Sequence, residues 1–217
     1  MLDIPGAPYL DKAALIGACV RLPIRVDSRR LFEEVQRIPA SAWGTRGGRV
    51  GVHNVAEAIF LRGFAPAAGE LPIEDQPILS SLPYVRVITS EILGGSPLRC
   101  LLARLPPGGI IRMHRDNAPY FGKSLRVHVP VETNESVVTI CSGLCYQLEC
   151  GEVWILNNSA DHAVWNSHPS RARTHLICDF LPAPALLDLL NRGDRHLGRR
   201  RPQIEQHTRG PDAAQRG

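Results

Sequence analysis

The chain has no paired Cys-x-x-Cys motif, no internal repeat and no long apolar run. A membrane helix needs about 20 consecutive apolar residues, so no transmembrane span is expected. Residues 1–10 carry Asp3, Pro5 and Pro8 but no cationic segment, so no signal peptide is expected. The six cysteines are Cys19, Cys100, Cys141, Cys145, Cys150 and Cys178. Cys141 and Cys145 lack the second pair that a structural zinc site uses. Reduced, buried thiols and a cytoplasmic location are the expectation.

Aromatic residues are also scarce, at 6%, and none lies beyond residue 190. That stretch instead holds seven arginines (192, 195, 199, 200, 201, 209, 216) against Asp194, Glu205 and Asp212. The difference equals the whole net charge of +4, so the body of the chain is balanced. A nucleic-acid surface interleaves basic and aromatic residues, and none is expected here. Residues 193–217 read as a basic, flexible tail.

What remains is an ordinary globular composition, 44% hydrophobic and 21% charged over 217 residues. It suits a single domain spanning 1–190. The 18 prolines and 19 glycines imply many turns. Residues 14–24 read as a strand. Asp27 and Ser28 can cap a helix over 28–38, where Leu31, Phe32, Val35 and Ile38 fall at helical spacing. Residues 40–51 read as a loop, 56–62 as a strand, 64–76 as a surface connection and 83–93 as a helix opened by Pro83. These form an α/β support over 1–97.

From residue 98 the texture changes. Short runs recur at 99–105, 110–114, 124–129, 137–141, 145–148, 153–156, 162–166 and 174–180, separated by turn signals such as Pro106-Pro107-Gly108-Gly109. Strands at this spacing predict an all-β double sheet or barrel over 98–181. A short terminal helix follows within 184–192.

One constellation in this region carries chemistry. In His114-Arg115-Asp116, residues two apart on a strand share a face. His162, opening another strand, can supply a third ligand. Two histidines and one carboxylate form the facial triad of non-haem iron(II) oxygenases. Taken singly, each histidine beside an aspartate is also an ordinary surface pair. Arg126 and His128 share one face of their strand while Leu125, Val127 and Val129 share the other. Burying that pair calls for an anion; a solvent-facing strand is the plain alternative. Arg173 enters the last strand and has the fork geometry that suits a carboxylate.

The order of these pieces resembles the aspartyl/asparaginyl β-hydroxylase family, and within it the bacterial proline hydroxylases. The residues that carry the resemblance are Ile111-Arg-Met-His114-Arg-Asp116-Asn117, Arg126-Val-His128-Val-Pro-Val, Gly151-Glu-Val-Trp154-Ile-Leu-Asn, His162-Ala-Val-Trp-Asn166 and Arg173-Thr-His-Leu-Ile-Cys-Asp179, within about residues 99–180. The resemblance implies a mainly β, cupin-like double-stranded β-helix (jelly roll) braced by N-terminal helices. It implies iron(II) on His114, Asp116 and His162, with 2-oxoglutarate and dioxygen as cosubstrates. Arg173 would hold the distal carboxylate, with Arg126 and His128 near the metal-proximal end. Relatives carry a hydroxylated residue for the cosubstrate where this chain has Ala103.

The same resemblance implies hydroxylation of an aliphatic carbon, with release of succinate and carbon dioxide. The expected substrate is a free amino acid, or an aminoacyl group on a carrier protein or peptide. Candidate substrate contacts are Asn117, Trp43, His53, Arg62 and Trp165. No membrane partner is expected, and the oligomeric state is open. The competing reading is a non-catalytic, cupin-like metal- or ligand-binding module or sensor. Halogenation is disfavoured because Asp116 fills the position a halide would need.

Overall fold

The computed structural model describes residues 3–45, 51–53, 55–66, 71–95 and 97–210. The segment expected as a strand over 14–24 divides into two elements. Asp11 accepts a hydrogen bond from Ala14 N at 3.0 Å and starts a short helix, α1 (Lys12–Leu15). Gly17, with φ of 71°, takes the left-handed conformation that ends it. Strand β1 (Cys19–Arg25) then begins. The alternation of apolar residues is visible in a sequence, but the cap that overrides it is a single aspartate.

Helix α2 (Ser28–Gln36) is capped by Asp27, whose side chain accepts from Arg30 N, and it buries Leu31 and Val35. Strands β2 (Gly44–Thr45) and β3 (Glu57–Arg62) follow. Helix α3 (Pro83–Val87) runs on into a wider turn over Ile88–Ile92, closed by Leu93 N bonding to Ile88 O. The two helices are locked by a buried carboxylate. Glu34 of α2 accepts from Tyr84 N at 2.8 Å and Val85 N at 3.0 Å, satisfying the free amides at the start of α3.

The remaining elements are β4 (Arg99–Leu105), β5 (Ile110–His114), α4 (Pro119–Lys123), β6 (Leu125–Glu132), β7 (Val137–Cys141), β8 (Leu144–Tyr146), β9 (Glu152–Leu156), β10 (His162–Asn166), β11 (Arg173–Phe180), α5 (Pro184–Asn191) and α6 (Pro202–Arg209). The strand pairs are antiparallel, in a larger sheet ordered β1-β9-β6-β11-β4-β3-β2 and a smaller one ordered β5-β10-β7-β8. This is a jelly roll, as the run of short strands predicts.

The two faces of the larger sheet do different work. Val127, Val129, Leu176 and Cys178 point to the helices and join Leu31, Val35, Val85 and Ile88 in the main core. The alternate residues Arg126, His128, His175 and Asp179 point to the smaller sheet and are all buried. The plain alternative, a strand wetted on one face, is therefore set aside.

The C-terminal stretch departs from the expected tail. Asp194 pairs with Arg21 on the free edge of β1, and Arg199 pairs with Cys145 on the free edge of β8. The stretch thus straps the two sheets together along their open side. A cleft of about 370 Å³ beneath it is lined by residues including Arg21, Tyr146, Trp154, Arg199 and Arg201, and by none of the candidate metal, cosubstrate or substrate residues. Helix α6 covers the smaller sheet, with Ile204 packed on Val138, Ile140 and Ala163. The arginines that suggest disorder are partly satisfied: Arg192 pairs with Asp188 and Arg209 with Glu205. Composition registers the charge but not the unpaired sheet edges that recruit the backbone. Residues 211–217 lie outside the described residues.

The Glu34 bridge gives a stability test. Glu34→Leu removes two charge-assisted bonds from buried amides and is expected to lower unfolding free energy by about 2–4 kcal/mol, read from urea midpoints. Phe32→Ala, on the exposed side of α2, should change it by less than about 1 kcal/mol.

Candidate metal centre

His114 ends β5 and His162 opens β10, and the two residues are direct partners across these antiparallel strands. Their rings lie 4.1 Å apart. Asp116 is not on the strand, as the i, i+2 argument assumed, but just past its end. Its backbone N–H donates to Asn158 O at 2.9 Å, which turns the chain back toward His114. Candidate ligand atoms of His114, Asp116 and His162 all lie within 4.8 Å of one another.

Hydrogen bonds select which nitrogens are available. His114 Nδ1 lies 2.7 Å from Arg112 O, and His162 Nδ1 lies 3.0 Å from Ala160 O. A carbonyl only accepts, so each Nδ1 carries the proton and each Nε2 keeps its lone pair. Two Nε2 atoms and a carboxylate oxygen are a donor set that fits iron(II) or another divalent first-row metal.

Asp116 is held by a buried network. Arg126 Nη1 donates to Asp116 Oδ2 at 2.6 Å, while Arg126 Nε and Nη2 donate to Asp179 at 2.8 and 2.9 Å. Asn158 Nδ2 donates to the same Oδ2 at 3.1 Å. The other oxygen, Oδ1, lies 3.7 Å from His114 Nε2. Burial pushes the Asp116 carboxyl up, but Arg126, His162 and His114 outweigh it and hold it well below the usual carboxylate range. The Arg126 guanidinium is thus taken by two carboxylates. Arg126, expected near the metal-proximal end of an oxoacid, grips the candidate ligand Asp116 itself.

A second polar group lies farther along the inner face. Arg173, 1% exposed, places Nη2 2.7 Å from His175 Nδ1. Arginine only donates, so His175 Nδ1 accepts and the His175 proton sits on Nε2. That Nε2 is buried with no hydrogen-bond partner among the described residues. Burial, then the nearby Arg173 and His128, push the His175 imidazole well below its usual range. His128 Nδ1 lies 3.4 Å from His175 Nδ1. Across from this group, on the smaller sheet, Thr139 Oγ1 is also buried without a partner among the described residues. Unsatisfied buried polar atoms are rare, and these fit an anionic ligand between the sheets.

The substrate candidates separate. His53 packs its ring edge-on against His114 at 4.8 Å, and Asn117 is exposed just past Asp116. The other three are elsewhere. Trp43 belongs to the helix-side core, with Arg104 stacked 3.6 Å over it. Arg62 is tied to Asp75 at 2.6 Å and to Pro97 O at 2.8 Å. Trp165 faces outward under α6, its ring 4.3 Å from that of His207. Strand alternation puts Trp165 on the opposite face from His162 and Asn166. The motif reading missed His175, Asn158 and Asp179. His175 carried a legible signal, since it stands two residues after Arg173 on one strand.

Residues 80–182 match the family model described as aspartyl/asparaginyl beta-hydroxylase. The match spans every strand from β4 to β11. All of His114, Asp116, His162, Arg173 and His175 lie within the matched region. Three solved structures share its fold. A 2OG-Fe(II) oxygenase family oxidoreductase from Burkholderia pseudomallei is 17% identical, with a TM-score of 0.54 over 91% of this chain and 95% of that one. A prolyl hydroxylase from Trichoplax adhaerens, in complex with a hypoxia inducible factor peptide fragment, is 12% identical, with a TM-score of 0.52 over 81% and 88%. A non-heme alpha-ketoglutarate dependent epimerase from nogalamycin biosynthesis is 10% identical, with a TM-score of 0.50 over 79% and 81%. At these identities the likeness is one of fold.

The Arg126 clamp is testable in the metal-free protein. Arg126→Leu leaves Asp116 and Asp179 buried without their cation, and a loss of about 3–5 kcal/mol in unfolding free energy is expected at neutral pH. A loss below about 1 kcal/mol would contradict the clamp.

Proposed function

We propose that this protein is a hydroxylase that uses iron(II), 2-oxoglutarate and dioxygen to place a hydroxyl group on an aliphatic carbon of an amino acid, free or carried on a protein or peptide. The observation that carries the reading is the convergence of two metal-ready imidazoles and one carboxylate beside a buried Arg–His pair. His114, Asp116 and His162 would hold the metal, which when bound supplies the oxidative chemistry that a protein lacks on its own. Three protein ligands leave positions for a bidentate oxoacid and dioxygen.

The oxoacid grip is assigned to Arg173 and His175. The guanidinium provides the charge-assisted bonds, and His175 Nε2–H provides a neutral donor. His175 stands directly across from Ala103 in the β4–β11 pairing. It supplies a donor near the point where the resembling enzymes carry a hydroxylated residue. His128 and Thr139 line the same space. The jelly roll keeps this space buried between its two sheets, which excludes water and strengthens each polar contact. His53, beside His114, and Asn117, beside Asp116, are the assigned substrate contacts.

A cytoplasmic setting suits the thiols, since the six cysteines are all free. Cys100 and Cys178 share a thiol hydrogen bond at 3.1 Å. No helix among the described residues is long and apolar enough to cross a membrane.

Succinate formation from 2-oxoglutarate with iron(II) and ascorbate tests the reading. Turnover should be slow alone and accelerated by the pool of amino acids or aminoacyl carriers that contains the substrate, with a product heavier by one oxygen. His114→Ala and Asp116→Ala are each expected to abolish turnover. Arg173→Ala and His175→Ala should mainly weaken oxoacid binding, the first by about 10- to 100-fold, as expected for loss of a charge-assisted bond. No turnover with any pool, and no change in melting on adding iron and oxoacid, would instead support the binding-module reading. Unchanged oxoacid affinity in Arg173→Ala would remove that residue from the site.

A further inference from the structure

Lys12 is a buried cation that the proposed reaction does not use. It opens α1 yet is only 3% exposed, unlike its neighbours Asp11 and Ala13. Burying an ammonium is costly unless it is paired and hydrogen-bonded. If packing were the whole role, methionine or leucine would serve. Lys12 Nζ instead donates to Asn158 Oδ1 at 2.6 Å, across 146 positions of sequence.

That contact orients the Asn158 amide. Lysine only donates, so Oδ1 must face Lys12 and the NH2 must face the other way. The NH2 then donates to Asp116 Oδ2, while Asn158 O accepts from Asp116 N. Asn158 itself is fully buried. The adjacent Asn157 fastens the same turn to the end of α1, donating through Nδ2 to Gly17 O at 2.8 Å and through its backbone N–H to Ala18 O at 2.9 Å. Oδ2 of Asp116 therefore receives two donors, from Asn158 and Arg126, while Oδ1 lies 3.7 Å from His114 Nε2. The buried charges also match, with Lys12 and Arg126 against Asp116 and Asp179.

We propose that Lys12, acting through Asn158, is a positioning residue that makes Asp116 a one-oxygen ligand and keeps a second coordination position from being filled by Oδ2. The proposal rests on the iron reading above. It joins the N-terminal helix, which lies outside the matched family region, to the metal centre. Without Lys12 the Asn158 amide is free to turn, Asp116 loses a donor on Oδ2, and chelation through both oxygens becomes competitive.

The test uses cobalt(II) bound to the full chain, which reports coordination number through its visible absorption. Lys12→Met is expected to weaken cobalt binding by about 10- to 100-fold, the usual effect of losing a group that orients a ligand, and to change the intensity of the visible bands. Asn158→Ala should do the same. The double variant should lose no more than Asn158→Ala alone, because the lysine works through the asparagine. A merely structural role would lower the melting temperature of the metal-free protein and leave the cobalt spectrum of the bound form unchanged. Native affinity and spectrum in Lys12→Met overturn the proposal, as does a double variant whose losses add. Should Lys12→Met not fold, unchanged cobalt binding in Asn158→Ala overturns it. If the wild-type chain binds no cobalt, the iron reading itself falls, an outcome distinct from these.

Discussion

The structure turns on one guanidinium. Arg126 lies in the middle of the larger sheet, buried, and bridges Asp179 on the neighbouring strand to Asp116 beyond the end of β5. An arginine in that position without carboxylates would be prohibitively costly, and so would either aspartate without the arginine. Each group is tolerable because the others are there. The bridge ties the larger sheet to the loop that carries Asp116, and so places a carboxylate beside two histidines that belong to the smaller sheet. Arginine suits this task better than lysine, since its planar fork reaches two acids at once.

The same logic explains why the inner face of the sheet can be polar at all. Along β11 the outward residues Leu176 and Cys178 stabilise the fold against the helices, while Arg173, His175 and Asp179 face inward. Asp179 is neutralised by Arg126. His175 is kept uncharged by burial and by Arg173, which leaves it as a neutral donor. The face is therefore graded, with an internally satisfied ion pair near the metal ligands and, farther in, the His175 Nε2–H, which has no partner among the described residues. Such a gradient suits a ligand with a carboxylate at its far end and is hard to explain as packing.

The fold alone would not have distinguished among outcomes. Structures described as a family oxygenase, a prolyl hydroxylase and an epimerase share it at 10–17% identity. Function is read from the site rather than from the scaffold. The matched region covers the site residues of the core but neither Lys12 nor the C-terminal strap, and both touch the architecture around the site. The strap reaches it through Arg209, whose Nη2 lies 3.6 Å from Asp161, next to His162.

Sequence by itself determined what is local or periodic. Short alternating runs separated by turn residues specify antiparallel strands, so the jelly roll was legible. The two-residue period put Arg126 and His128 on one face, and Arg173 marked the start of the last strand. The spacing of His114, Asp116 and His162 suggested three ligands, although Asp116 reaches its place from a loop and not from a strand. Tertiary structure alone decided what each polar side chain meets. Trp43, Arg62 and Trp165 are candidate substrate contacts by sequence but pack or pair elsewhere, because strand facing and helix packing are settled across long separations. The contacts of Lys12 with Asn158 and of Arg126 with Asp179 join residues 146 and 53 positions apart. No window of sequence contains such pairs, since the burial that makes them necessary exists only once the sheets have closed.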